Sequence, residues 1–282
     1  MKKIKGLFNL IRFELPFSAG VCVVMGQMLA LGNFPSIYLT LAAFFAVFSI
    51  SASILVSNDY YDIETDKINA PFRPLASNTV TLNEAKILSI FLLTAGLFLS
   101  YLISFAALLI SIILMIIGFM YNRYYKKSGL QGNIMVSFSV GMTFIYGGVS
   151  VGQPFHKAVV FFALIAALID LGEEIAADVM DMEGDLLINS NSVAIKYGRD
   201  TALKTSVFIF LLVVLLSFIP FIMKWFPVIY LIPILIMDFF ILYPAVKLLK
   251  SGNENGRKYI RTIYLGATLG LVIFLVMRMF SL

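Results

Sequence analysis

Long apolar runs dominate the pattern of hydrophobic and polar positions along this chain. In windows of about 19 residues, the length suited to membrane-spanning helices, nine such runs occur, centred near residues 23, 47, 94, 113, 142, 165, 212, 238 and 270. Each run approaches the roughly 20 residues that a helix needs to cross a bilayer. The pattern therefore predicts an all-α polytopic membrane protein with about nine transmembrane helices, within a range of seven to nine.

Two parts of this pattern are less regular than the rest. A short turn near Tyr101 to Ser104 is expected to separate the third run from the fourth. In the eighth run, Pro227, Pro233 and Pro244 are expected to interrupt the helix, because proline lacks a backbone donor. Membrane helices tolerate such interruptions when neighbouring groups satisfy the freed carbonyls.

The first residues resemble the basic start of a signal peptide. Lys2, Lys3 and Lys5 precede the first apolar run, but Arg12 and Glu14 delay it, and no clear small-x-small cleavage site follows. We therefore expect the first span to be retained in the mature protein. The absence of a transit peptide favours the plasma membrane of a prokaryote.

Composition supports the membrane interpretation and restricts the chemistry. The chain is 60% hydrophobic and 13% charged, whereas soluble domains average about 25% charged residues. A single cysteine, Cys22, excludes an intrachain disulfide and any cysteine-cluster metal site, and a single histidine, His156, excludes multi-histidine sites. Any metal site must therefore use carboxylates.

The basic residues are distributed unevenly across the predicted membrane. With nine spans and a cytoplasmic N-terminus, all of the 21 basic residues except Lys157, Lys224 and Arg278 lie on the cytoplasmic side. This is the asymmetry that the positive-inside rule describes. The net charge of +5 then needs no nucleic-acid partner, since basic loops beside anionic headgroups account for it.

Acidic residues concentrate in two clusters, at the cytoplasmic ends of the second and sixth runs. Three aspartates in each cluster follow the same steps of three and four residues, namely Asp59, Asp62 and Asp66, and Asp178, Asp181 and Asp185. Such steps place side chains on one face of a helix. Asp170 and Glu174 extend the second face back into the sixth run.

Carboxylates this close need positive charge between them. At about 5 Å and an effective dielectric of about 20, each ionised pair costs on the order of 3 kcal/mol. Salt bridges to Lys67, Arg73, Lys126 or Lys196 are one explanation, but the matched spacing of two clusters favours a divalent metal. Proteins bind Mg²⁺ with a few carboxylates and substrate phosphate oxygens, so the sequence predicts Mg²⁺ and a phosphate-bearing substrate.

Two basic segments lie beside the clusters. Prolines on either side of Phe72-Arg73 make a rigid loop that can aim Arg73 at an anion. After the fourth run, the segment 121–127 carries three tyrosines and Arg123, Lys126 and Lys127. An aromatic belt with positive-inside anchors explains some of these, and we expect at least one of the three cations to contact phosphate.

These residues resemble the motifs of the UbiA superfamily of intramembrane prenyltransferases over essentially the whole chain. The first motif, Asn-Asp-x-x-Asp-x-x-x-Asp, and its continuation Asn-x-Pro-x-Arg-Pro match Asn58, Asp59, Asp62, Asp66, Asn69, Pro71, Arg73 and Pro74. The second motif and the element after the fourth span match Asp178, Asp181, Asp185, Tyr121 and Lys126. One departure is Ser77-Asn78, where many relatives have glycine, which leaves the turn of that loop open.

The resemblance implies one domain over residues 1–282, with nine helices in a ring around a central cavity and motif loops at about 58–84 and 173–199. It implies two Mg²⁺ that bridge an isoprenyl diphosphate, held by Asn58, Asp62, Asp66, Asp181 and Asp185. Expected contacts to the diphosphate are Arg73, Tyr121, Lys126, Lys67 and Arg123. Asp59 and Asp178 are candidates for catalysis, either accepting the acceptor's proton or supporting the metal ligands.

The acceptor is the least determined part of the expected reaction. No charged residue lies between Leu15 and Ser57, whereas an aromatic acid in the cavity would need a cation, because an unpaired buried carboxylate is costly. Basic groups at the cytoplasmic mouth suit a lipid with a phosphate head. The run Glu174 to Asp185 also resembles the archaeal lipid branch, whose members transfer geranylgeranyl to geranylgeranylglyceryl phosphate.

Two alternatives remain. A quinone precursor such as 4-hydroxybenzoate, or a chlorophyll-type acceptor, would use the same motifs, and Arg12 could reach a carboxylate from the rim. A cation transporter would be expected to place its acids near the membrane midplane on broken helices, where this sequence clearly has only Asp238. Neither the acceptor, the donor chain length nor the oligomeric state follows from the sequence.

Overall fold

The protein is a bundle of helices in a computed structural model that describes residues 2–280, and these residues form no strands. The helices are α1 (Lys2–Ile11), α2 (Glu14–Leu31), α3 (Ile37–Tyr61), α4 (Ile63–Asn69), α5 (Leu82–Ile103), α6 (Phe105–Met120), α7 (Leu130–Ser150), α8 (Lys157–Met180), α9 (Met182–Asp185), α10 (Val193–Tyr197), α11 (Arg199–Ser217), α12 (Ile219–Ile222), α13 (Leu231–Leu248) and α14 (Asn253–Met279). Single helical turns at Tyr121–Tyr125, Lys126–Ser128, Leu186–Ile188 and Val228–Tyr230 connect some of them.

Eight helical segments within residues 2–280 are long and apolar enough to cross a membrane. The remaining long helix, α8, has 24 residues, but it carries Asp170, Glu173, Glu174 and Asp178, and acids inside a membrane are costly unless they face a cavity or a partner. The predicted all-helical, multi-pass membrane fold is confirmed. The count of nine spans and the cytoplasmic N-terminus stay predictions.

The irregular runs behave differently from each other. Helix α5 ends at Ile103 and α6 begins at Phe105, with the Ser104 hydroxyl accepting from the Ala107 amide at 3.1 Å, so the expected short turn is present. The expected interruption of α13 at Pro233 and Pro244 is wrong, since the helix continues through both. Pro233 lies in the first turn, where backbone donors have no helical acceptor, and membrane helices tolerate an internal proline such as Pro244.

The long helices form a ring in which each packs against the next along the chain, and α14 closes the ring against α2. Hydroxyl groups bind neighbouring helices together. Ser53 of α3 contacts Ser89 of α5 at 2.9 Å between hydroxyl oxygens, and Ser100 of α5 contacts Tyr146 of α7 at 2.8 Å. Such bonds matter because lipid provides no hydrophobic driving force between helices.

Near one end of the ring, α2 and α7 contact each other directly. A Cβ atom added to Gly26 would lie 2.3 Å from the carbonyl oxygen of Phe144, and one added to Gly147 would lie 2.2 Å from that of Val23. Only glycine permits this approach of the two backbones. The two helices therefore leave no space between them here. The opposite end of the ring, where both acidic clusters lie, is called the motif end.

The motif loops are shorter than the predicted ranges of about 58–84 and 173–199. Helix α3 extends to Tyr61 and α8 to Met180, so Asn58, Asp59 and Asp178 lie on helices rather than in loops. The turn left open at Ser77-Asn78 is formed by Asn78, which has a φ of 55°. Asparagine adopts this left-handed conformation more readily than most residues other than glycine, so the loop turns without glycine.

Candidate active site

A cavity of about 990 Å³ occupies the inside of the ring, near the upper limit for small-molecule sites of about 1,000 Å³. Much of its wall is apolar, with Val47, Ile50, Leu114, Ile117 and Ile165 among the lining residues, and α8 adds Asp170, Glu173 and Glu174. Its motif end is lined by residues of both acidic clusters and by several cations. The cavity therefore offers a lipid-like interior that ends in a charged mouth.

The aspartates of the first cluster are buried at this mouth. Asp59 belongs to the last two turns of α3, Asp62 follows its end, and Asp66 lies on α4. Their exposed fractions are 1%, 5% and 5%. Buried charges at this level require opposite charges or hydrogen-bond donors, so the neighbours of these carboxylates determine the electrostatics of the site.

Each of these buried aspartates is paired with a cation. Arg12 binds Asp59, Lys126 binds Asp62, and Arg73 binds Asp66 with 2.5 Å between Nη1 and Oδ1. Arg73 and Lys126 thus form salt bridges of the kind that the sequence suggested. Among the ion pairs of the described residues, neither Lys67 nor Lys196 joins the aspartates of the two clusters.

The second cluster spans the end of α8, and contacts from other helices hold it in place. Arg257 of α14 binds Asp181 at 2.5 Å and donates to the Met180 carbonyl at 3.1 Å. One turn earlier, Asp178 accepts from the Asn133 amide at 2.9 Å. The first residues of α14 therefore hold the end of α8 in position.

Asn69 connects the two clusters directly. Its side-chain amide donates to the Asp181 carbonyl at 3.1 Å, and its side-chain oxygen accepts from the Gly184 amide at 3.0 Å. Gly184 has no room for a side chain, because a Cβ atom there would lie 2.4 Å from Asn69 Nδ2. The glycine of the second motif is thus required by the asparagine of the first.

Burial and mutual repulsion shape the protonation of the loop carboxyls. Burial raises the pKa of Asp66, and the adjacent Arg73 only partly offsets this. Burial, with the nearby Asp181 carboxylate, raises the pKa of Asp185 to about 6. Burial alone would lower the pKa of the Arg73 guanidinium, but the carboxylates of Asp59 and Asp66 raise it. The mouth is therefore a place where added positive charge is favourable.

The predicted metal ligands supply the right donors but are not assembled around a common centre. In residues 2–280, no three acidic, histidine or cysteine side chains converge closely enough to bind an ion as they stand. The donors of Asn58, Asp62, Asp66, Asp181 and Asp185 are oxygen atoms, which hard divalent cations prefer. These five residues therefore fit a divalent cation, which would replace Lys126, Arg73 and Arg257 as the partners of the aspartates.

Three of the five predicted diphosphate contacts line the cavity and two do not. Arg73, Tyr121 and Lys126 face it. Lys67 instead binds Glu64 at 2.7 Å on the outer surface, and Arg123 lies 5.7 Å from the ring centre of Tyr61. The roles of Lys67 and Arg123 stay predictions from the sequence.

Several polar residues at the mouth were not predicted from the sequence to belong to the site. Arg12, Arg257 and Arg261 line the cavity, although the sequence marked them only as cytoplasmic charges or, for Arg12, as a rim residue. Asn122 holds Asn58 by accepting from its side-chain amide at 3.1 Å. Because each partner is distant in the chain, residue spacing gave no signal for these contacts.

Comparison with known proteins identifies the family. The sequence profile of the UbiA prenyltransferase family matches residues 19–277. The chain belongs to this family. Within the family, it is 37% identical over 255 residues to digeranylgeranylglyceryl phosphate synthase of Methanocaldococcus jannaschii, covering 90% of this chain and 89% of that protein. As a family member, the protein is a membrane prenyltransferase, which confirms the predicted family and enzyme class.

Solved structures of UbiA-family proteins share the fold. One, described as giving insights into the biosynthesis of digeranylgeranylglyceryl phosphate synthase in membranes, has a TM-score of 0.70, 36% identity and 98% coverage of both chains. A UbiA homologue from Archaeoglobus fulgidus bound to GPP and Mg²⁺ has a TM-score of 0.65 and 18% identity, covering 98% of this chain and 100% of that one. At this lower identity the likeness concerns the fold alone.

Proposed function

We propose that this UbiA-family protein transfers a geranylgeranyl group from its diphosphate to geranylgeranylglyceryl phosphate, with Mg²⁺, in the synthesis of membrane ether lipids. The observation that carries the proposal is the cavity, whose apolar interior ends in two acidic clusters and several cations. Two phosphate-headed isoprenoids fit such a site, with their chains inside and their heads at the mouth. The name of the Methanocaldococcus jannaschii relative supports this choice.

In this proposal, the motif residues take the roles that the resemblance to the family implies. The proposed Mg²⁺ ligands, for two ions, are Asn58, Asp62, Asp66, Asp181 and Asp185. When bound, Mg²⁺ supplies positive charge that stabilises the diphosphate leaving group. Arg73, Tyr121 and Lys126, which all line the cavity, bind the diphosphate oxygens and orient the allylic carbon toward the acceptor.

The transfer exchanges one carbon–oxygen bond for another. The bond between the allylic carbon and the diphosphate breaks, and its electron pair leaves with the diphosphate. A glycerol hydroxyl of the acceptor then bonds to the same carbon and loses its proton, for which Asp59 and Asp178 are the proposed acceptors. Asp59 Oδ2 is buried without a hydrogen-bond partner among the described residues, so it is free to accept. The apolar walls keep water from the reactive carbon.

The lining charges favour a lipid phosphate over an aromatic carboxylate as acceptor. Inside the cavity, α8 presents Asp170, Glu173 and Glu174. The basic residues that line the cavity lie at its mouth, so a benzoate held at that depth would leave its carboxylate buried without a cation, which is costly. A phosphate head instead remains at the mouth among cations. We further propose that the motif end faces the cytoplasm of a prokaryotic cell, on the distribution of basic residues.

The function is tested with detergent-purified protein, labelled geranylgeranyl diphosphate and Mg²⁺. Geranylgeranylglyceryl phosphate and 4-hydroxybenzoate are offered in parallel, with EDTA and Asp62→Ala as controls. We expect a diether phosphate product that disappears in both controls. Prenylated benzoate alone would refute the acceptor assignment, and ion flux in liposomes without consumption of any diphosphate would indicate a transporter.

A further inference from the structure

Three arginines line one side of the cavity mouth, and none of them belongs to the sequence motifs. Arg12 lies between α1 and α2, and Arg257 and Arg261 lie one turn apart on α14. The two segments meet there, because Arg261 binds Glu14 with 3.0 Å between Nε and Oε2. We call Arg12, Arg257 and Arg261 the arginine edge.

The geometry of the arginine edge points to a specific anion site. We propose that it binds the phosphate of the acceptor, apart from the residues that bind the diphosphate of the donor. This inference rests on the proposed function, in which two phosphate-bearing substrates meet in one cavity. It assigns a separate set of cations to each of them.

Asp59 lies between the arginine edge and the cations proposed to bind the diphosphate. It binds Arg12 on the arginine edge, and its Oδ1 lies 3.7 Å from Nη1 of Arg73, which belongs to the diphosphate set. Arg73 and Lys126 pair with Asp66 and Asp62. Arg257 and Arg261, both on α14, pair with Asp181 and Glu14. A substrate on each side of Asp59 would bring the two reacting groups together beside its carboxylate.

The backbone at Arg12 is consistent with a functional position. Arg12 has a φ of 49°, in the left-handed region that costs energy for a residue with a side chain. Residues held in such conformations concentrate at binding and catalytic sites. The conformation ends α1 and starts α2 while the guanidinium reaches the cavity and Asp59.

Arg261 is the member of the edge best placed to exchange its partner. Its side chain is 60% exposed and that of Glu14 is 38% exposed, and ion pairs with this much solvent contribute little to stability. A phosphate carries more charge than a carboxylate and accepts two parallel hydrogen bonds from a guanidinium. Glu14 would keep the hydrogen bond from the Tyr264 hydroxyl, at 2.8 Å.

The competing explanation is that these pairs only fasten α2 to α14. A comparison of Arg261→Gln with Glu14→Gln separates the two, because each variant breaks the same ion pair but only the first removes a cation. If Arg261 binds acceptor phosphate, Arg261→Gln should raise the KM for geranylgeranylglyceryl phosphate by about ten- to a hundredfold. The KM for geranylgeranyl diphosphate should not change.

Controls make the test specific. Glu14→Gln should leave the acceptor KM unchanged or lower it, and Arg261→Lys should restore most of the acceptor affinity. Lys258→Gln removes an exposed cation from the same helix outside the cavity lining and should change neither KM. With geranylgeranylglycerol, which lacks the phosphate, wild type and Arg261→Gln should be equally poor. Arg12→Gln should also raise the acceptor KM, so the result does not depend on one variant, and it should lower kcat as well because Arg12 pairs with Asp59.

Three results would overturn the proposal. The first is an equal rise of acceptor KM in Arg261→Gln and Glu14→Gln, the second is a rise in donor KM instead, and the third is an unchanged acceptor KM in both arginine variants. All of these presuppose that wild type makes the diether phosphate. If wild type does not, the proposed function has failed and this inference fails with it, which is a different and separately visible outcome.

Discussion

The contact between Asn69 and Gly184 predicts a specific loss of activity in Gly184→Ala. A Cβ atom there would lie 2.4 Å from Asn69 Nδ2, whereas ordinary contacts begin at 3.4 Å, so the Asn69 amide must retreat by about 1 Å. Its hydrogen bonds, now 3.1 and 3.0 Å long, would then exceed hydrogen-bonding distance. Two such bonds contribute about 1 kcal/mol each, and about 2 kcal/mol corresponds to about 30-fold.

The measurement is a double-mutant cycle on initial rates of prenyl transfer at subsaturating Mg²⁺. Gly184→Ala and Asn69→Ala should each lower kcat/KM by about 30-fold, for the hydrogen-bond reason above. The double variant should be no worse than Asn69→Ala alone, because the clash disappears with the side chain. If Gly184→Ala costs as much in the Asn69→Ala background as in wild type, Asn69 does not transmit the effect and the reasoning is refuted.

Three further predictions concern the fold, the donor site and the metal. Gly26→Ala should lower the thermal stability in detergent markedly, because its Cβ would meet the Phe144 carbonyl at 2.3 Å, whereas Gly252→Ala, with nothing within 4 Å, should not. Arg73→Gln should raise the donor KM about tenfold or more. Lys67→Gln should leave the donor KM within about twofold of wild type, because exposed ion pairs contribute little. Equal effects of the two variants would contradict the placement of the diphosphate. Chelation should abolish transfer while circular dichroism retains the helical spectrum, and lost helicity would show that the metal is structural.

The acidic clusters could be predicted from sequence because their geometry is local. Asp59, Asp62 and Asp66 follow helical spacing, and the end of an apolar run shows where the helix leaves the membrane. The structure accordingly brings both clusters to one end of the ring. What spacing could not show is that α3 ends at Tyr61 and α8 at Met180, so each cluster is divided between a long helix and the short helix that follows it.

The cations of the mouth were less predictable because their partners are distant in the chain. Arg12 and Asp59 are 47 positions apart, and Arg257 and Asp181 are 76 apart. Only the closure of the ring brings them together, and charge alone does not separate them from ordinary membrane anchors. The continuous path of α13 through Pro244 likewise depends on tertiary surroundings rather than on local propensity.

The ion pairs that neutralise the aspartates also bear on how a finished product leaves. Each cation stays tethered within reach of its own carboxylate, so its effective concentration there is high whatever else is bound. A phosphate group bound at the mouth would therefore compete with these carboxylates for the same cations. When the phosphate dissociates, the ion pairs form again. In the proposed reaction, this competition would shorten the time that a phosphate-bearing product occupies the site.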